Sequence, residues 1–188
     1  MRKLFALLLA LQLINPNLRA QDFSNKGTDF WVAYGYHQLM TAGNSQDMVL
    51  YFAADAAATV TVSIPGLGYT ATYNVAANSV LTSNPLPKAG AQDARLLTES
   101  NTPDNKGIHV TSTQPIVCYA HIYNQSVSGA SILFPTNTLG REYYSINFQN
   151  FSNTPDANCW AYVIAADTGT TTVEITPSAA TLTKQDGV

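Results

Sequence analysis

The feature that most constrains this chain is a two-residue alternation of apolar and polar side chains. Val60, Val62 and Ile64 fall on one side of an extended segment, and Thr59, Thr61 and Ser63 fall on the other. Pro65-Gly66-Leu67-Gly68 then turns the chain into Tyr69, Ala71, Tyr73 and Val75. Alternation at period two puts one set of side chains against a core and the other in water, and two such runs around a Pro/Gly turn read as a β-hairpin. The same pattern predicts strands over residues 29–36, 47–54, 107–112, 115–123, 131–135, 143–148, 158–166 and 170–177. Beyond the first twenty residues no window carries the 3.6-residue stripe of an amphipathic helix. The expected class is all-β, an antiparallel β-sandwich or jelly-roll-like arrangement. Residues 84–105, rich in Pro, Asn and Asp, read as one long loop with at most a short strand over 95–98.

An internal repeat organises these strands. Gly27-Thr28-Asp29-Phe30-Trp31 matches Gly140-Arg141-Glu142-Tyr143-Tyr144, 113 residues later. Tyr51-Phe52-Ala53-Ala54-Asp55, followed by a Thr/Val strand ending at Pro65, matches Tyr162-Val163-Ile164-Ala165-Ala166-Asp167 and a Thr/Val strand ending at Pro177, 112 residues later with the Tyr one place out. Composition alone makes β-rich segments resemble one another, but here order and spacing agree. The expected organisation is a signal peptide over 1–20, a first β unit over 21–139, and over 140–188 the start of a second, related unit that is incomplete.

The first twenty residues carry the marks of export: Arg2 and Lys3, an apolar run from Leu4 to Leu13, and Leu18-Arg19-Ala20 as a cleavage site, leaving Gln21 first. The run is about half the ~20 residues needed to span a bilayer, which favours a cleaved signal over an anchor. No membrane insertion is expected after cleavage, and the chain is placed outside the cell, secreted or held at a surface. Cleavage would remove three of the nine Lys and Arg and none of the twelve Asp and Glu, taking the formal charge from −3 to −6. The six remaining cations, Lys26, Lys88, Arg95, Lys106, Arg141 and Lys184, are scattered, so no nucleic-acid partner is expected. An oxidising compartment permits a disulfide between Cys118 and Cys159, but both lie in apolar strands where a free thiol packs as a small hydrophobe, and the two readings stand side by side.

Enzyme motifs are absent: no G-x-S-x-G, no H-E-x-x-H, no C-x-x-C and no Gly-rich phosphate loop occurs. His37 follows a strand end, His109 alternates outward between Ile108 and Val110, and His121 shares a face with Tyr119 and Tyr123, so none has convergent catalytic partners in sequence. Glu99, Asn101, Asp104 and Asn105 offer oxygen ligands of the type Ca²⁺ prefers, yet match no Ca²⁺ loop and equally suit turn chemistry. No catalytic residue, metal site or cofactor is assigned. Trp31, Tyr34, Tyr36, Tyr119, Tyr123, Tyr143, Tyr144, Trp160 and Tyr162 supply the amphipathic rings that are enriched at interfaces, though mid-strand rings more often fill or rim a core.

Lys106-Gly107-Ile108-His109-Val110-Thr111-Ser112-Thr113-Gln114-Pro115-Ile116-Val117-Cys118-Tyr119-Ala120, then Leu133-Phe134-Pro135-Thr136-Asn137-Thr138-Leu139-Gly140-Arg141-Glu142-Tyr143, resembles the family known as the IgG Fc-binding protein N-terminal domain. Gly27-Thr28-Asp29-Phe30-Trp31 looks like the opening of such domains, and the similarity runs over about residues 24–188. The resemblance implies an extracellular, non-catalytic interaction role and supplies no ligand residues to carry over. The expectation is a binding or adhesion module whose partner is a protein, glycoprotein or glycan at a cell surface or in the extracellular matrix. The alternatives are a structural spacer repeat and the non-catalytic flank of a secreted hydrolase.

Overall fold

The computed structural model describes residues 24–37, 39–40, 43–97, 104–146 and 161–176. It is all-β: seven antiparallel strands form one sheet that curls until it nearly closes like a barrel. The strands are β1 (Lys26–Val32), β2 (Asp47–Ala54), β3 (Ala58–Ile64), β4 (Tyr69–Val75), β5 (Ser79–Thr82), β6 (Ile108–Tyr123) and β7 (Ser128–Ile132). The hairpin falls where the alternation puts it, with Ala58 opposite Val75 and Ile64 opposite Tyr69.

The sixteen-residue β6 organises everything else. On one edge its first half pairs with β3, Ser63 facing His109 and Val60 facing Ser112, while its second half pairs with β2, Ala54 facing Ile116 and Asp47 facing Tyr123. On the other edge β1 pairs with it from Ile108 to Val117, and β7 pairs from Tyr119 to Tyr123. On the second edge the partner changes at Cys118, and on the first it changes over residues 113–115. At the same level β2 breaks from β3 over 55–57, β4 breaks from β5 over 76–78, and the β1 register slips between Gly27 and Asp29. Four breaks in a row form a crease across the sheet. One half, β4-β3-β6-β1, folds over the other, β5-β2-β6-β7, bringing Phe52 of β2 to 5.5 Å from Tyr73 of β4 between ring centres.

The breaks at 55–57 and 113–115 keep the alternation in phase, so even positions of β2 and β3 face inward on both sides of the crease, as do Ile108, Val110, Ile116 and Cys118 of β6 and Phe30 and Val32 of β1. The β1 bulge instead reverses the phase and sets Gly27 opposite buried Ile116 and exposed Lys26 opposite Val117. Phe30, Val32, Met48, Leu50, Phe52, Val60, Val62, Ile64, Ile108, Val110, Ile116 and Cys118 form one core. A one-residue slip at the crease would send half of it into water. Gly27 sits where Pro135 crosses β1; a Cβ there would lie 2.3 Å from the Pro135 Cβ, so glycine permits the segment after β7 to press on β1.

The long loop predicted over 84–105 does more than connect. Ser83 and Leu86 donate their backbone N–H groups to the carbonyls of Leu50 and Met48, each at 2.8 Å. Arg95 then lies against Tyr34 in an isolated parallel bridge, the only ladder contact within the short strand expected at 95–98 among the described residues. Its guanidinium grips Asp93 through Nε at 2.9 Å and Nη2 at 2.6 Å, and Nη1 donates to the Met40 carbonyl at 2.9 Å and Asn44 Oδ1 at 2.7 Å. Lys88 ties the other strut, donating to the carbonyls of Asn44 and Gln46 and pairing with Asp47 at 2.9 Å. This knot closes the core under Met40, Leu86 and Ala94, which are all buried.

Several strand expectations are corrected. The strand expected over 29–36 begins earlier and stops at Val32, where the chain leaves β6 to enter the knot. The pair expected over 107–112 and 115–123 is one bent strand, and β5 went unread because four residues, Ser79 to Thr82, are too short for a pattern. The strands expected over 143–148, 158–166 and 170–177 do not form among their described residues, 143–146, 161–166 and 170–176. The central strand offers them no edge, since both edges of β6 are taken along its length.

Candidate functional site: the outer face of the sheet

Side chains at odd positions of β2 and β6 point away from the core, and cross-strand pairing brings them into rows. Tyr51 faces Tyr119, which faces Ile132 on β7. One row along, Val49 faces His121, and beyond it Asp47 faces Tyr123. The Tyr51 hydroxyl meets His121 Nδ1 at 3.3 Å, and the imidazole stacks on the Tyr123 ring with centres 4.8 Å apart. His121 is thus held from both sides by phenols on two strands. Tyr119 stays 40% exposed beside it, and Val80, which is level with Ala53 on β5, is 65% exposed. The result is an aromatic platform on β5-β2-β6-β7, with Asp47 the sole acidic side chain in these rows and its charge paired with Lys88.

A second aromatic-histidine set lies on the other side of the crease, roughly 40 Å away along β6 at about 3.3 Å per residue. Trp31 and His109 are direct cross-strand neighbours and stack almost parallel, 4.2 Å between centres and 7° between planes. Asp29, two residues before Trp31 on the same face, accepts from or pairs with His109 Nε2 at 2.8 Å. Ser63 faces His109 across β3, so Ser, His and Asp stand on three adjacent strands. No hydrogen bond joins Ser63 to His109 among the described residues. Mid-sheet backbone N–H groups are already committed to the ladder, so none remains to stabilise an oxyanion. Stacked on one side by Trp31 and held by Asp29, His109 is a fastening between β1 and β6.

The rings named from sequence therefore divide. Tyr119 and Tyr123 join the platform, and Trp31 clamps His109. Tyr34 is wholly buried, its hydroxyl donating to the Gln46 carbonyl at 3.3 Å; burial, with Asp47 adding to it, pushes its phenol up to about 12. Tyr36 stands exposed at the edge of the knot, and Tyr143 and Tyr144 stand exposed after β7. Tyr162 reaches back to the chain just after β1, donating to the Ala33 carbonyl at 3.5 Å, and burial raises its phenol. Tyr51 was missed as a site residue. Its outward place between Leu50 and Phe52 was legible, but only the β2–β6 register shows that it meets Tyr119 and His121.

Cys118 is a buried free thiol on the inner face, pushed up to about 12 by desolvation. Cys159 and Trp160, the signal peptide expected over 1–20, and Glu99 and Asn101 of the oxygen-rich loop lie outside the described residues. Asp104 and Asn105 are exposed.

No curated protein and no solved structure matches the chain. A family model does match, and it covers part of the resemblance read from sequence: Leu133 to Tyr143 falls inside it, whereas Gly27 to Trp31 and Lys106 to Ala120 fall outside. From residue 129, within β7, to residue 188, the chain is similar to the family described as IgGFc binding protein.

Proposed function

We propose that this chain is a non-catalytic binding module of an exported protein, and that it takes a protein or glycoprotein ligand on the Tyr51–Tyr119–His121–Tyr123 platform. The observation that carries the reading is the platform's construction: rings from two strands, locked in register and interlocked through His121, with Tyr119 and Val80 left open to solvent. Rings already ordered by a β-ladder lose little conformational freedom on binding, which is what an interface anchor requires. A face with one paired acidic side chain suits stacking against sugar rings or apolar protein surface better than capture of an ion. The family match supports the coarser statement, since that family is one of binding domains and not of known enzymes.

The test is a Tyr51→Ala/Tyr119→Ala variant presented to an immobilised mucin-type glycoprotein, to the same material stripped of glycans, and to an immunoglobulin Fc fragment. Binding of the unaltered chain to one of these surfaces should fall at least tenfold in the variant. A Thr61→Ala/Thr72→Ala control on the outer face of β3 and β4 should leave it intact. Loss of binding in the control but not in the platform variant would remove this assignment. Binding to the stripped protein separates a protein ligand from a glycan one.

A further inference from the structure

His121 carries one polar atom that the sheet does not use. Its Nδ1 meets the Tyr51 hydroxyl at 3.3 Å. A phenolic O–H is a better donor than a neutral imidazole N–H, and an unprotonated imidazole nitrogen is a better acceptor than a phenolic oxygen, so Tyr51 donates and the ring proton sits on Nε2. Among the described residues, the side-chain N and O atoms that are both buried and unpartnered are Gln46 Oε1 and Ser112 Oγ. Nε2 has no protein partner among the described residues and is not one of these buried atoms, so it opens to solvent. Opposite His121 on β7 stands Ala130, exposed and ending at Cβ, which leaves that flank of the imidazole uncovered. Tyr119 lies two residues before His121 on the same face, roughly 7 Å away along the strand, and is 40% exposed.

Charge and area narrow what can sit on this pair. Lys88 has three N–H donors and gives them to the carbonyls of Asn44 and Gln46, at 2.8 and 2.7 Å, and to Asp47 at 2.9 Å. A carboxylate or sulfate laid on these rows would meet the Asp47 carboxylate and no unspent cation. A stable protein partner covers about 800 Å² on each side, whereas the open part here is one partly exposed phenol, Val80 on β5 and the edge of an imidazole. A pyranose ring fits that surface: it has an apolar C–H face that stacks on a phenol and a rim of oxygens that accept hydrogen bonds.

We propose that the platform takes a neutral glycan, one pyranose ring stacking on Tyr119 while an oxygen of its rim accepts the proton on His121 Nε2. The inference rests on the platform reading above and narrows it to the sugar of a glycoprotein. Each member of the cluster then has a distinct task. Tyr119 supplies the stacking surface, and His121 sets specificity, because a ligand without an acceptor at that place leaves the donor unpaired. Tyr51 is a positioning residue: it touches the imidazole and not the sugar, and holds the proton on the outward nitrogen. Sialylated and sulfated sugars are disfavoured by Asp47, whose lysine partner has no donor left to offer them.

A printed array of neutral, sialylated and sulfated oligosaccharides tests it with the 188-residue chain. Neutral oligosaccharides should bind, and the sialylated or sulfated forms of the same cores should bind at least tenfold more weakly. His121→Phe, which keeps a ring against Tyr123 and lacks the donor, should weaken neutral-glycan binding about tenfold, and Ala130→Leu, which fills the open flank, should do the same. Long-range ¹H–¹⁵N spectra of the unaltered chain at pH 8, where an imidazole is neutral, should place the His121 proton on Nε2, and Tyr51→Phe should return part of it to Nδ1. An array with no neutral glycan bound, equal binding of the acidic forms, full binding by His121→Phe, or a proton on Nδ1 in the unaltered chain would each overturn the proposal. Binding to glycan-stripped protein that is lost in Tyr51→Ala/Tyr119→Ala would keep the platform and remove the glycan. Neutral-glycan binding that survives both that variant and His121→Phe would remove the two assignments together.

Discussion

Replacing Arg95 by leucine should unfasten the loop that closes the core, by an amount the geometry allows to be sized. The Arg95 and Asp93 side chains are 10% and 17% exposed and share a two-point contact, and Arg95 also serves the Met40 carbonyl and Asn44. Removing one partner of a nearly buried pair strands the other charge, which costs about 3–5 kcal/mol. At about 4 °C per kcal/mol for a unit of this size, Tm should fall by roughly 12–20 °C at pH 7. The pH dependence has a definite sign. The Arg95 hydrogen bond holds the Asp93 carboxyl below the usual carboxylate range despite its partial burial, and Asp93 in turn raises Arg95. A depressed carboxylate contributes stability that is complete above its unfolded pKa, near 4, and is lost as pH falls through the lower folded value. The gap between the unaltered chain and Arg95→Leu should therefore be widest above pH 5 and narrow below pH 4, where Asp93 in the variant takes up a proton and its stranded charge disappears. Thermal melts from pH 2.5 to 7 would measure it, with Asp93→Asn/Arg95→Leu losing less than the two single changes together. A Tm loss under about 3 °C at pH 7, or one that does not change with pH, would show that the knot does not hold the loop.

Two further outcomes follow from the packing. Gly27→Ala should destabilise the unit by about 1–3 kcal/mol in chemical denaturation, because its Cβ would fall on the Pro135 ring and Pro135 or β1 must move; an unchanged midpoint would mean that the crossing carries no load. Cys118 should resist iodoacetamide at pH 8 in the folded protein and react once urea unfolds it, since its thiol is buried and pushed up to about 12; rapid labelling of the native chain, read by mass at Cys118, would contradict the core placement.

Local alternation by itself determined much of this protein. It separated inward Val60, Val62, Ile64 and Cys118 from outward Thr61, His109, Tyr119 and His121, and it placed the Pro65–Gly68 turn, because side-chain direction in a strand depends only on the parity of neighbouring positions. What parity does not contain is the identity of the partner. That β6 serves β1, β2, β3 and β7 together, and that the sheet creases where all its ladders break, follows from pairings between residues up to 91 apart, such as Lys26 with Val117. The platform belongs to this second kind: Tyr51 and His121 are 70 residues apart and meet only because Asp47–Ala54 lies in register on β6. Residues 161–166 and 170–176 show the same division from the other side. The first is a continuous run of Ala, Val, Ile and Tyr and the second sets Val173 and Ile175 among Thr and Glu as β3 sets Val among Thr, yet neither forms a strand, because a strand's backbone N–H and C=O groups are satisfied by a neighbour that its own sequence does not supply.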